Sequence, residues 1–492
     1  MQNINEFTEQ PVVPSEEDLE TYKKVKNSFI DYVRFEDTDS ERRSEAKRRF
    51  MDDIDYVPVY AYPRLDALKD EADLVTKKTN VYNAVLEIEV ARSAAELVGD
   101  DVRAAELMLY RSFHDLRLRK IELVQGAQML HNAQTSVSQE VARSAYANLN
   151  AEVYGEMNQD LYTSVLSDFV HKADTFLPQD AIARRVVEGL KRPLAHIHRS
   201  ELKGEVLLSD ETMDTIHNTT LKRYANVLSA VPDSEDDVYY DAEQCVEIIN
   251  KALQLGNLAG VGWKCVIQKS RTNPSTNGET RAINLPSTTR RNAAELRRLI
   301  VHEQEVHARR AENGRSSGSA ILQSGTADYA DVEEGLGVIL ECAVAGNLAN
   351  PSFDRAKERY MVAGLIEGRD GSKPRDAREV YELMWRLIAV SDSKDGTMSA
   401  EAVLGAKNKA MSHIDNAFRS TDFWQKGVYY TKLKVYYEGL VKNVQYLKEN
   451  ASDIEGALER AMVGKVNHTD ENEMLLVGTV IRNNTPFTTV IN

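Results

Sequence analysis

The sequence predicts a mainly α protein with a small β-sheet, an α+β architecture, and three observations carry that reading. From residue 16 to about 197, apolar residues such as Val81, Val85 and Ile88 recur at three- and four-residue intervals, broken near Pro58, Pro63 and Pro178. Paired strand signals are confined to residues 263–268 and 280–285, on either side of the turn-forming run Asn273-Pro274-Ser275-Thr276-Asn277-Gly278. Just beyond them His302-Glu303-Gln304-Glu305-Val306-His307, an H-E-x-x-x-H, sits in a segment that is itself helical in pattern.

Taken in order, residues 1–15 are polar and contain Pro11 and Pro14, the composition of a mobile arm. Residues 16–200 are expected to form a lobe of six or more helices. Its histidines (His114, His131, His171, His196, His198) are scattered, which suits surface and packing roles. Helices over 210–228 and 242–253 and a loop at 256–262 lead into a predicted hairpin, 263–268 with 280–285. Asn292-Ala293-Ala294-Glu295 reads as a capping box. Leu296, Leu299 and Ile300 then set the inner face of a helix, with Arg297 and Arg298 outward. Val332, Leu336, Ile339, Leu340 and Ala343 mark a second core-facing helix, and helices over 377–390, 401–418 and 452–462 complete a unit spanning 201–465. Residues 364–373 are glycine-rich but depart from G-x-x-x-x-G-K-[S/T] spacing, so no nucleotide site is expected there. Residues 466–492 read as a tail whose β-branched runs, 475–481 and 487–491, are short strands at best.

The motif poses a geometric problem. At roughly 100° per residue, histidines at i and i+4 face one ion, whereas those at i and i+5 point about 140° apart. A π-bulge or wide turn between His302 and His307 removes the conflict, and such bulges cluster at functional sites. Glu303 continues the apolar face three residues after Ile300, where a carboxylate is costly without a partner. Two imidazoles with a neighbouring carboxylate are the parts of a zinc hydrolase, which usually takes three protein ligands and leaves a fourth position for water. The third ligand expected is Glu334, with Gly335 after it leaving room for a neighbouring helix or the ion.

Composition narrows the classes. A net charge of −16 opposes general nucleic-acid binding. Residues 264–310 nevertheless hold ten Lys/Arg against four Glu, a local field that draws anionic substrates. No run of about 18 apolar residues occurs, so no membrane span is expected. Three cysteines (Cys245, Cys265, Cys342) without C-x-x-C spacing, and an N-terminus without a leader pattern, point to a reducing cytoplasm.

The two motifs together resemble the H-E-x-x-x-H metallopeptidases of the tyrosine carboxypeptidase family, which includes bacterial proteins named for a Q-E-G-L-A motif. The first block extends as His302-Glu303-x-x-x-His307-x-x-Arg310-x-x-Asn313-Gly314. The second stands as Glu333-Glu334-Gly335-Leu336-Gly337, with Glu in place of Gln and Gly in place of Ala, and Thr431 to Gly439 is similar to a third family stretch. The resemblance covers roughly residues 235–465. It implies a gluzincin-like core beside the helical lobe, with Zn2+ held by His302, His307 and Glu334 and Glu303 as general base. Lys432 is the cation it favours for a substrate carboxylate. Arg281 on the strand and Tyr436 are further substrate-binding candidates, while Arg310 and Asn313 are expected to brace the helix end. The expected partner is the C-terminus of a peptide or protein, and no tubulin substrate follows from the motifs. An endopeptidase on the same centre and a non-catalytic protein that keeps the metal are the competing readings.

Overall fold

Helices build most of the molecule, and their starts follow from capping chemistry. The computed structural model describes residues 40–57, 71–133, 135–202, 210–235, 237–269, 273–347, 351–418 and 421–482. The N-terminal lobe comprises α1 (Ser40–Asp52), α2 (Glu71–Val98), α3 (Asp101–Asn132), α4 (Ser136–Tyr154), α5 (Gln159–Thr175) and α6 (Ala181–Lys191). Asp100, Thr135, Asn158 and Asp180 cap the last four, each side chain accepting a first-turn backbone N–H. Pro178 falls between α5 and α6. The arm expected at 1–15 and the breaks at Pro58 and Pro63 lie outside the described residues.

Next come α7 (Asp210–Leu228), β1 (Tyr239–Tyr240), α8 (Ala242–Leu255), β2 (Lys264–Ile267), β3 (Ser275–Asn277), β4 (Ala282–Leu285) and β5 (Arg291–Asn292). A long three-part helix follows: α9 (Ala293–Leu299), a π-helical stretch (Ile300–Ala308) and α10 (Arg309–Ser316). The chain continues through α11 (Ala320–Ser324), α12 (Tyr329–Ala345), α13 (Pro351–Glu367), α14 (Ala377–Asp392), α15 (Ala400–Ala417), α16 (Lys432–Glu449), α17 (Ile454–Ala461) and α18 (Glu471–Arg482). The capping box at the start of α9 forms as expected, Asn292 and Glu295 each accepting the other's backbone N–H. Among the described residues no helix is long and apolar enough to cross a membrane.

The sheet differs from the expected hairpin. β2 and β4 are parallel neighbours, with Cys265 opposite Ile283, and β3 forms inside the run read as a turn. β3 pairs antiparallel with β4, Thr276 opposite Ile283, which leaves β3 at the edge of the order β2-β4-β3. The chain reverses after Asn277, whose side-chain oxygen accepts the backbone N–H groups of Glu279 and Thr280, and Arg281 takes a left-handed φ of 51°. The run 475–481 is also corrected: it is helical, within α18. Val477 and Val480 bury one helical face against Leu109 and Phe113 of α3, so tertiary packing overrides β-branched propensity. The other run, 487–491, lies outside the described residues.

One apolar core crosses the expected boundary near residue 200. It joins Tyr162 and Phe169 of α5 to Leu336 and Ile339 of α12 and Tyr381 of α14. A second, smaller core packs Ile249 of α8 and Leu296 of α9 on Ile283 of the sheet. Helices α12 and α16 cross at two glycines. A Cβ on Gly335 would stand 2.3 Å from the carbonyl carbon of Gly439, and one on Gly439 would stand 2.1 Å from the Asp331 carbonyl oxygen. Gly439→Ala is therefore expected to cost about 1–3 kcal/mol, seen as a lower denaturant midpoint. Gly405→Ala on α15, with nothing within 4 Å of the added methyl, should be neutral or stabilising by up to ~1 kcal/mol. Equal behaviour of the two variants would contradict a close-packed crossing.

Candidate metal centre

An extra residue in a helix has to be absorbed by the backbone. Ile300–Ala308 absorbs it as a π-helical stretch between two α-helical halves, the distortion that the histidine spacing predicts. His302 and His307 thereby lie side by side, with ring centroids 4.8 Å apart. The stretch is held from both sides. Val301 and Val306 are buried in the main core with Leu336 and Ile339 of α12. On another face Gln304 donates to the Ala252 carbonyl at 3.1 Å, and Arg309 forks onto Glu305 at 2.8 and 3.0 Å while also reaching the Gly256 carbonyl. These contacts fix the π register against the C-terminal end of α8.

Each imidazole has one nitrogen engaged by a carboxylate and the other turned toward Glu334. Nδ1 of His302 lies 2.6 Å from Glu341 Oε1, and Nδ1 of His307 lies 3.1 Å from Glu333 Oε2. Both Nε2 atoms stand 3.8 Å from an oxygen of Glu334. One nitrogen or oxygen from each of His302, His307 and Glu334 lies within 4.8 Å of the other two. A tetrahedral zinc sphere with ligands at about 2.0–2.2 Å has edges of about 3.3 Å, so a small closure of these side chains accommodates the ion. The donor set suits zinc as well, and the outer carboxylates fix the tautomer and ring orientation that ligation needs. Gly337 makes room for one ring: a Cβ there would stand 2.6 Å from the His302 imidazole.

The electrostatics follow from this packing. Partial burial opposes ionisation of Glu334, but His302 and His307 hold its carboxyl down to about 2. Burial likewise opposes a charged His302, yet Glu334 and Glu341 raise its proton affinity well above the ordinary imidazole range. Burial also works against charge on Glu333, and Lys465, His307 and Arg310 more than offset it, keeping that carboxyl well below the usual range. Arg310 is fully buried and donates to the carbonyls of Gly464 and Val466, and Asn313 donates to that of Met462 at 2.7 Å. Both brace the helix end, as the sequence suggests.

Glu303 is 8% exposed, and its Oε2 accepts the Thr276 hydroxyl at 2.7 Å. Thr276 belongs to the edge strand β3, so this bond sets β3 beside the motif. Lys432, the first residue of α16, lies near the same centre. The Tyr436 phenol is the strongest influence raising its ammonium above the ordinary lysine range; burial opposes, and Tyr430, Asp331 and Glu334 add to the rise. Arg281, a further substrate-binding candidate, pairs with Glu312: its guanidinium donates to that carboxylate at 2.8 and 3.0 Å, and the indole of Trp263 and Arg315 share it. A left-handed backbone and this ion pair give it a structural role in holding the turn after β3 to α10. Of the neighbouring tyrosines, Tyr429 donates to Glu367, Tyr430 shares a hydroxyl contact with Tyr154, and Tyr437 is in the core. Tyr436 is half-buried, with the Arg359 guanidinium 4.6 Å from its ring centre.

Sequence reasoning missed Glu341, Thr276 and Lys465. Glu341 had a usable signal, since it lies two helical turns after Glu334 on α12 and so shares its face. Thr276 had none, because the run containing it reads as a turn.

Comparison with known proteins supports the class that these motifs suggest. Residues 203–368 match the family model described as microtubule-associated tyrosine carboxypeptidase. At family level the match is to a carboxypeptidase-type peptidase, and the matched segment holds both histidines, Glu303 and the whole of α12. No curated protein and no solved structure matches the chain.

Glu341→Gln is expected to weaken binding of added zinc about 10–100-fold, measured by competition with a chelating dye. Unchanged affinity would show that the contact to His302 does not orient a ligand.

Proposed function

We propose that the chain is a zinc-dependent carboxypeptidase that removes a residue from the C-terminus of a peptide or protein. The observation that carries this reading is the convergence of His302, His307 and Glu334 beside the buried carboxylate of Glu303. When bound there, zinc would polarise the scissile carbonyl and lower the pKa of an attacking water toward about 7. The chain's own residues do the rest. Water adds to the carbonyl carbon and gives its proton to Glu303, whose other oxygen is fixed by Thr276. Glu303 passes that proton to the leaving amine as the C–N bond breaks, releasing a free amino acid and a shortened chain.

Substrate placement follows from two features. The outer edge of β3 has no strand neighbour among the described residues, so an extended peptide can add there and lie alongside Glu303. Lys432 stands close enough to Glu334 for the two charges to influence each other, which suits capture of a terminal carboxylate one residue beyond the scissile bond. Tyr436, one turn along α16, is the tyrosine best placed to assist. That cation favours exopeptidase over endopeptidase action. The three cysteines are buried thiols, in keeping with a cytoplasmic setting.

Glu303→Gln is expected to reduce kcat by about 10²–10⁴-fold while zinc content stays at the wild-type level. With zinc-loaded wild type, free-acid peptides should lose single C-terminal residues in mass spectra and amidated ones should not. Internal cleavage would favour the endopeptidase. Zinc binding without turnover of any peptide in a C-terminal library would favour a non-catalytic role.

A further inference from the structure

One cation at the metal centre comes from far along the chain. Lys465 lies in the segment 462–468 between α17 and α18, and its side chain is 13% exposed. Its ammonium donates to Glu333 Oε2 at 3.3 Å and stands 5.3 Å from the centre of the Tyr329 ring. Burying a lysine this far forgoes hydration of its charge, and one ion pair does not by itself return that cost. The backbone around it leaves little freedom. The Lys465 N–H donates to the Leu322 carbonyl at 2.8 Å, and the Lys465 carbonyl accepts the Thr326 N–H at 3.0 Å. On either side, the Gly464 and Val466 carbonyls accept from the Arg310 guanidinium. The ammonium is held in one place.

The carboxylate it reaches has two competing partners on the metal helix, His307 and Arg310, one turn apart. Glu333 Oε2 is 3.1 Å from His307 Nδ1 as well as 3.3 Å from the Lys465 ammonium. Glu333 Oε1 is 3.5 Å from Arg310 Nη1, yet these two buried atoms have no hydrogen-bond partner among the described residues. A guanidinium and a carboxylate so close ordinarily shorten into a charge-assisted hydrogen bond. A small rotation of Glu333 would complete it, and would carry Oε2 off the imidazole. Lys465 grips the oxygen that has to move. The other imidazole is held differently: His302 and the Ser352 hydroxyl take separate oxygens of Glu341.

We propose that Lys465 is a positioning residue: it keeps Glu333 on His307 and off Arg310, which fixes this imidazole with its Nε2 turned toward Glu334 and the metal position. It touches neither ion nor substrate and acts only through Glu333. The inference rests on the reading of His302, His307 and Glu334 as zinc ligands. It extends the centre to a residue outside the segment 203–368 that matches the family model.

The test combines zinc affinity with crystallography on the full chain. Affinity is measured by competition with a chelating dye for wild type, Lys465→Met, Lys465→Arg, Glu333→Gln and the double variant Glu333→Gln/Lys465→Met. Lys465→Met should weaken zinc binding about tenfold, the low end for loss of a group outside the ligand shell, and Lys465→Arg should keep most of the affinity. With Gln at 333, Lys465→Met should add no further loss, whereas a lysine that only packs would cost the same in both backgrounds. Zinc-free crystals of Lys465→Met should show Glu333 hydrogen-bonded to Arg310 and off His307. In a wild type that binds zinc, unchanged affinity in Lys465→Met or an equal loss in both backgrounds would overturn the proposal. So would a wild-type crystal with Glu333 already closed onto Arg310, an outcome that needs no variant to fold. Wild type that binds no zinc, while Glu333 swings to Arg310 in Lys465→Met, would sink the metal-centre reading and leave the positioning role standing.

Discussion

The helical turn from Ile300 to Ala308 has to satisfy two surfaces at once, and the site depends on how it does so. One side holds His302 and His307, which must share a neighbourhood although five residues separate them. Another holds Gln304, Glu305 and Arg309, which hydrogen-bond one another and the carbonyls at the end of α8. A regular α-helix could not serve both. Widening to a π-helix gives up ideal backbone hydrogen bonding over this stretch, and the buried polar clamp together with Val301 and Val306 offsets the loss. The distortion is thus over-determined by packing, as a preorganised site requires.

Helix α12 supplies the complement. Glu333, Glu334 and Glu341 reach the two imidazoles from this one helix, so its distance and rotation relative to the π stretch set the geometry. The glycine crossing with α16 fixes that placement and brings Lys432 alongside. Such a concentration of carboxylates would be unstable unpaired. Glu333 is buried among Lys465, Arg310 and His307, and Ser352 donates to Glu341 at 2.9 Å. Buried ion pairs add little net stability, but breaking one leaves an uncompensated charge, so the network enforces a single arrangement. Gly337 contributes by absence, since the alanine usual in the resembling family would press on the His302 ring here.

Local features were legible in the sequence and long-range partners were not. The capping box, the helix patterns and the distortion between the histidines all follow from spacing within one element, which propensity and periodicity address directly. Glu334 could be chosen because chemistry demanded a third ligand and α12 offered one beside a glycine. Strand partners are different: nothing within 263–285 states that β2 runs parallel to β4 or that Thr276 belongs to a third strand. The Arg281 ion pair was hidden for the same reason, because its partner Glu312 lies on α10 and the pairing exists only once the chain is folded. The run 475–481 reads as a short strand at best by its β-branched composition, and it lies in a helix because α3 offers an apolar face.

The central claim is that the π-helical turn delivers both imidazoles to one ion together with a carboxylate from α12. X-ray absorption at the zinc edge of stoichiometrically loaded protein tests it most directly. The account predicts one zinc per chain with two imidazole nitrogens and carboxylate or water oxygens at about 2.0–2.2 Å, and loss of one imidazole in His307→Ala. A sphere containing one imidazole or none in the wild-type protein, or one unchanged in His307→Ala, would contradict it.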